Sequence, residues 1–509
     1  MNVLLILILL FQLLGWSKSS NEWNLSLKEN TIYEVNSDID LKGKTITIPQ
    51  GCTIIFKRGK IANGKVIFKK TTLQGKILID AEVEGMLTNE ELYCEWFGAK
   101  PGSDNDASIG INRALNLAKE TGSTVRLRKG VYTLKCHLRL NGIPVGLDTT
   151  RYLNHNNLTL EGEGKKTILV NSYKSDVINL GYCKNIKIKN FSVVNDAIID
   201  KTVWEQKKSG VNLCSIVNAI NVEVSGLTLS HGVYYPHTKK ESGVEYFDGG
   251  KGLTIQGSLF ENIYVSDCIV DDCIYGLDVT TSYPFFQNKK SKIRVERISI
   301  NNCYRGCVIT GGGNRDESLY HITTGLITID NVQVKNCFQS ISTQQAVATN
   351  ASMTVTNTKP IKDLYKRPNS NDTWLVKATD EFTDLLSYSW VFNCSQSIGC
   401  SFYVDASVKN TNFVLMVQGS YSQAGKSFYH RNSNLTMSIN KDYSIVPKIG
   451  HDRITEECAV YYQKHSGNIK PHLKDCTFDL RGFRGTKGNL LSVPKELNDE
   501  VVESKWLIR

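Results

Sequence analysis

From Ile186 onward the chain places β-branched residues at matching offsets in successive segments. IKIKNFSVVND begins at Ile186, VEVSGLTLSHG at Val222, IYVSDCIVDDC at Ile263, IRVERISINNC at Ile293 and ITIDNVQVKNC at Ile327. Each copy alternates apolar and polar positions, breaks at a polar or glycine residue and alternates again, so it reads as strand, sharp turn, strand. Three copies continue alike, with CIYGLDVTT from Cys273, CYRGCVITG from Cys303 and CFQSISTQQ from Cys337. Such a unit cannot bury its apolar face alone. Stacked about 4.8 Å apart as parallel strands, the copies share one core. The pattern predicts the coils of a parallel β-helix, with the unequal intervals of 36, 41, 30 and 34 residues arising from loops that leave a constant frame.

Outside the repeat the patterning changes. Between Thr31 and Asp80 the segments KTITI, CTIIF, KVIFK and KILID read as short strands separated by Gly-Lys and Asn-Gly turns. One helix is expected, capped by Asp106, with Ile111, Ala114, Leu115 and Ala118 on one face and Gly122 just past its end. The strand TVRLRKGVYTL follows it. After about Asn350 the repeat weakens; Thr358 to Asp372 reads as a long basic loop, and YSWVFNCSQSIGC and HLKDCTFDLRGF read as further strands. The fold class expected is all-β: a right-handed parallel β-helix with one short N-terminal capping helix and a small N-terminal β element. Its divisions are a signal peptide at 1–20, a β cap element at 21–90 and a β-helix domain at 91–509. The regular coils occupy about 155–345 and the less regular ones 346–509.

Composition narrows the function. Residues 1–20 hold an apolar run, Val3 to Leu14, too short to span a bilayer comfortably and followed by small polar residues, which is the pattern of an export signal. The protein is therefore expected outside the cytoplasm, periplasmic or secreted, with no membrane insertion and as a monomer. Its 14 cysteines are spread along the chain, and Cys273, Cys303 and Cys337 share one repeat offset, so they read as an interior column of reduced side chains. The net charge of +10 comes from 60 basic and 50 acidic residues with no long block of one sign. That excludes a nucleic-acid-binding arm and, for an exported protein, favours an acidic polysaccharide as partner.

The segment FGAKPGSDNDASIGINRALNLAKETGSTVRLRKGVYTL resembles the opening motif of the pectate-lyase-like superfamily: Phe-Gly-Ala, an acidic linker, an amphipathic helix and a Gly-x-Tyr strand. The GDGxTDD linker of that family stands here as KPGSDND. The resemblance implies right-handed β-helix coils, and a substrate lying across one strand column. By alignment of the repeats that column falls at VYY (Val233 to Tyr235), LDV (Leu277 to Val279), CVI (Cys307 to Ile309) and SIS (Ser340 to Ser342). The superfamily includes polysaccharide lyases, glycoside hydrolases, epimerases and phage-type tail proteins, so the fold leaves the reaction open.

Candidate chemistry gathers at that column. His231 shares its offset with Asn195, Asp272, Asn302 and Asn336, and reads equally as a reactive base or as one rung of a polar turn ladder. Tyr234, Tyr275, Arg305 and Gln339 share the offset two residues past the cysteine column. Two irregular segments leave the same edge, one carrying Tyr235, His237, Lys239 and Asp248, the other Asn314, Arg315 and His321. β-Elimination on a uronic acid needs a cation to neutralise the carboxylate, a base for the α-proton and an acid for the departing oxygen. His231, Tyr234 and Arg305 are the catalytic candidates; Tyr235, His237, Lys239, Asp248, Tyr275, Asp278, Asn314, Arg315, His321 and Gln339 are the substrate-binding ones. The leading expectation is an exported lyase acting on a uronic-acid-containing polysaccharide, with the positive charge leaning toward a glycosaminoglycan such as chondroitin or hyaluronan. Asp248, Asp271, Asp272, Asp278 and Asp316 keep a hydrolase using an Asp pair open, and a noncatalytic glycan-binding β-helix is the third reading. No His or Cys set has transition-metal spacing, and no cofactor is identified. The scattered aspartates allow Ca²⁺ as an alternative neutraliser.

Overall fold

The computed structural model describes residues 27–102, 106–140, 156–173, 176–196, 211–232, 250–282, 285, 288–311, 325–358 and 389–409, parts of 411–439 and five short strands between 460 and 507. It also describes the two-residue strands His237–Thr238 and Glu245–Tyr246. The chain forms two compact units, 1–173 with 183–191 and 174–182 with 192–509. Among the described residues no helix is long and apolar enough to cross a membrane.

The first unit begins with strands that pair in parallel. Thr53 lies beside Ile32 and Thr72 beside Thr53, while Ile61 lies beside Ile39 and Ile79 beside Ile61. The N-terminal β element is thus a small solenoid of its own, with coils of about twenty residues. The alternation is in phase from coil to coil, so Val35, Phe56, Ile54 and Leu73 are all buried together. The helix Ala107–Thr121 follows, with the Asp106 carboxylate accepting from the Ser108 backbone N–H and Gly122 in the left-handed region at φ 74°. Its apolar face buries Ile111, Ala114, Leu115 and Ala118 completely. Each of the two larger side chains contributes roughly 1.5–3 kcal/mol. Asn116 Nδ2 donates to Val83 O at 2.9 Å, and Asn112 holds both His137 O and Arg139 N, which ties the helix to the strand Ile79–Leu87 before it and to the segment that follows the strand Gly130–Leu134.

The second unit is a parallel β-helix with three strand columns. In the first, Val222, Ile263, Ile293 and Ile327 are register partners. Leu229, Val270, Ile300 and Val334 align in the second, and Leu253, Leu277, Cys307 and Ile341 in the third. The third column continues through Trp390–Ile398 and Phe413–Gln418. The chain passes between the second and third columns through single residues in the left-handed region: His231, Asp272, Asn302 and Asn336, with φ between 51° and 63°. Asn and Asp tolerate that region best, which is why polar residues recur there.

A glycine is the second residue of three successive third-column strands, Gly252, Gly276 and Gly306, where the neighbouring coil leaves no room for a side chain. A Cβ on Gly276 would come within 2.2 Å of Ile300 Cγ2, and one on Gly306 within 2.4 Å of Val334 Cγ1. Cys273, Cys303 and Cys337 are fully buried, free thiols, stacked beside this bend. Burial, and then the neighbouring thiols, push the Cys303 thiol well above its usual range.

Two expectations about register change. The strand partner of Leu277 to Val279 in the preceding coil is Leu253 to Ile255, not VYY, because the third-column strand there is Lys251–Gly257. The partners of Cys307 to Ile309 are Ile341 to Thr343, one residue beyond SIS. The first shift arises because third-column pairing in that coil begins only at Lys251, well past the turn at His231 and Gly232. The carbonyls of Gly232 and Gly250 both accept from Ile274 N, at 3.3 and 3.0 Å.

Candidate functional site

The first positions of successive third-column strands form a row of buried and half-buried polar side chains. Lys251, Tyr275, Arg305 and Gln339 are successive register partners. Arg305 sits between its neighbours: Nε donates to Gln339 Oε1 at 3.1 Å and Nη1 to the Tyr275 hydroxyl at 3.3 Å, with the guanidinium 5.3 Å from the Tyr275 ring centre. Lys251 Nζ lies 5.5 Å from the same ring centre, so two cations flank one tyrosine. Tyr304 and Phe338 stack 5.6 Å apart immediately before Arg305 and Gln339, and Arg305 also lies over Tyr304 at 5.8 Å. These aromatic walls fix the guanidinium plane.

Lys251 also reaches across to the next strand, three positions past its register partner Tyr275, and pairs with Asp278, Nζ to Oδ2 at 2.5 Å, with side-chain exposures of only 14% and 5%. Thr280 Oγ1 donates to the other Asp278 oxygen at 2.8 Å. Further down the row, Lys251 N donates to Asn212 Oδ1 at 3.2 Å, and Asn212 in turn donates from N and Nδ2 to Asp176. Ser215 Oγ adds a longer bond to Asp176 at 3.4 Å. Burial raises the Asp176 carboxyl above the usual range; the Asn212 and Ser215 bonds and the charge of Lys251 work against that rise.

His231 occupies the turn that precedes the column. Its Nδ1 lies 2.6 Å from Asp272 Oδ2, and its ring is 40% exposed. Its backbone N–H donates to Asp271 O, as the N–H of Asp272 does to Asn301 O and that of Asn302 to Lys335 O. His231 is therefore a rung of the turn ladder by backbone and, by side chain, an imidazole oriented by a carboxylate. With Nδ1–H donated to Asp272, Nε2 is the acceptor nitrogen.

Of the residues expected to act here, the structure brings Tyr275, Arg305 and Gln339 into one row, sets Asp278 beside it and places His231 at the turn leading to it. Tyr234 was expected in that row, but the register partner of Tyr275 is Lys251. Tyr234, Tyr235, Lys239, Asp248, Asn314, Arg315 and His321 lie outside the described residues. His237 begins a two-residue strand that pairs antiparallel with Glu245–Tyr246, His237 opposite Tyr246. Lys251 and Asp176 are the residues that sequence reasoning missed. The Gly-Leu-x-aliphatic pattern of KGLTIQG, matching YGLDVTT from Tyr275, is the signal that would have found Lys251. Among the described residues no three His, Cys, Asp or Glu side chains gather as a metal-binding set.

No protein-family model matches the chain, and no curated protein matches its sequence. Solved structures match at a distance. The A-module of a mannuronan C-5 epimerase from Azotobacter vinelandii is 11% identical over 81% of this chain and 98% of that one, with a TM-score of 0.36. A GH87 α-1,3-glucanase catalytic unit from Streptomyces thermodiastaticus is 12% identical over 80% and 69%, at 0.34. The enzymatically active domain of tailspike protein 2 of bacteriophage CBA120 is 10% identical over 83% and 46%, at 0.36. Likenesses this remote carry no chemistry, which rests on the residues of this chain.

Proposed function

We propose that the protein is an exported enzyme that cleaves a uronic-acid-containing polysaccharide by β-elimination, the polymer lying across the third-column row. The observation that carries this reading is Arg305, half-buried at the start of a third-column strand, held by Tyr275 and Gln339 and flanked by the Tyr275 and Tyr304 rings. A planar guanidinium so fixed suits a sugar carboxylate, whose neutralisation acidifies the α-proton. His231, oriented by Asp272, takes that proton on Nε2. The electron pair left on carbon forms the new double bond as the adjacent C–O bond breaks, and Tyr275, whose oxygen accepts from Arg305, returns a proton to the departing oxygen. Asp278 beside the row is already paired with Lys251, so Lys251, Arg305 and Asp278 together offer an anion a net positive charge. The overall charge of +10 favours a glycosaminoglycan.

Incubation with chondroitin, hyaluronan and polygalacturonate should yield ultraviolet-absorbing unsaturated ends with one of them. Arg305→Ala should abolish this, and His231→Asn, which suits the left-handed backbone, should abolish it without loss of fold. New reducing ends lacking that absorbance would sink the elimination reading. They would point instead to hydrolysis, for which Asp176 is the specific support: a carboxyl raised by burial, just before the third-column strand Ile178–Gly181, is suited to act as an acid. Asp176→Asn should then remove activity and His231→Asn should spare it.

A further inference from the structure

A second groove opens on a different face of the second unit. On the outside of the first strand column, Thr328, Asn350, Ser401 and Asn434 are successive register partners. They line an open groove of ≈ 410 Å³ together with Ser352, Thr436 and Tyr403. Tyr403 lies between Ser352 and Thr436 in register and is 51% exposed, the most exposed large aromatic of the described residues. Among the described residues the lining contains a single charged residue, Asp330, and no cation. This chemistry differs from that of the third-column row, with its Lys251 and Arg305. An aromatic plane ringed by amides and hydroxyls lacks the means to neutralise an anion. It does match an uncharged pyranose, which offers an apolar C–H face to the ring and hydroxyls to the amides. The rungs repeat at about 4.8 Å, close to the advance of a polysaccharide chain per sugar, so consecutive sugars meet equivalent rungs.

We propose that this face is a second polysaccharide-holding surface that takes uncharged sugars of the polymer, with Tyr403 as its stacking platform and Asn350 and Asn434 as its main hydrogen-bonding groups. The inference rests on the polysaccharide reading of the third column, but it concerns a separate face and noncatalytic binding. Toward the earlier coils the register partner of Thr328 is Arg294, whose guanidinium donates from both Nε and Nη2 to Glu296, so its charge is compensated there.

The test is electrophoresis of the full chain through gels containing hyaluronan, chondroitin, polygalacturonate or a neutral β-glucan. Retardation by at least one polymer is expected, reduced several-fold in Tyr403→Ala and in the Asn350→Ala/Asn434→Ala double variant, and retained in Tyr403→Trp. Mobility in polymer-free gels and the unfolding midpoint should match the wild type. Retardation of Tyr403→Ala equal to wild type, with Arg305→Ala alone losing it, overturns the second surface and leaves the third-column reading standing. Loss in Tyr403→Ala with none in Arg305→Ala supports the second surface and counts against the row. Absence of retardation by every polymer overturns both.

Discussion

Lys251 and Asp278 illustrate how much of the row depends on charges held out of water. Both side chains are nearly buried and each is the other's counterion. Removing one partner leaves an uncompensated buried charge, at a cost of about 3–5 kcal/mol. Lys251→Met should lower unfolding stability by that order in denaturant titration, and Lys251→Met/Asp278→Leu should recover most of it. Asp176 behaves oppositely with pH. Its folded-state carboxyl is raised by burial, so its contribution to stability is fully present below the unfolded value of about 3.9 and is lost as pH rises through the folded value. Asp176→Asn should thus leave stability near pH 3 little changed and raise it at pH 7, measured as the shift in denaturation midpoint. Arg305, Tyr275 and Gln339 were legible as a row because the cysteine two positions earlier marks the same bend in each coil. Asp176 was not, because its coil has no cysteine at that bend and its partner Asn212 comes after a long intervening stretch.

At the scale of elements, the glycine bend and the left-handed turns set the directions of the row. Gly276 lies against Ile300 and the Gly306 carbonyl, and this lets Tyr275 face outward while Leu277 faces the core. Gly276→Ala should cost about 1–3 kcal/mol and lower turnover through displacement of Tyr275, read as a paired loss in denaturant midpoint and rate. Asn302, at φ 52°, also donates from Nδ2 to Asp271 at 2.7 Å. Asn302→Gly keeps the backbone freedom and loses the bond, whereas Asn302→Ala loses both, so the alanine variant should be the less stable by about 1 kcal/mol. The helix was fully legible, since its cap, apolar face and terminal glycine are all local signals. The N-terminal strands were legible as strands, but not their parallel stacking, because pairing between segments about twenty residues apart leaves no mark in a short window. The displaced strand Lys251–Gly257 was misread for a related reason: an insertion of unknown length breaks the count from the preceding turn.

Across the whole molecule the described cysteines are free thiols, almost all of them buried. Burial pushes Cys268, Cys307 and Cys400 up to about 12, so the reactive thiolate is scarce even at alkaline pH. A thiol reagent at pH 8 should leave these three unlabelled in the folded protein and label them in denaturant, as followed by mass spectrometry. Labelling under native conditions would show that the coils open individually. The coil repeat itself was the most legible feature, because burial repeated in register imposes the same residue types at every turn, while the outer faces answer to function and vary from coil to coil.

The anchoring of the segment between Gly232 and Gly250 has a consequence for how such a protein changes over generations. Since both ends rest against the same amide of Ile274, the length and composition of what lies between them can be exchanged without altering the stacking beneath. If the row holds a polymer as proposed, selection can alter its neighbourhood by swapping that cassette, while the inherited frame and the row it presents stay as they are.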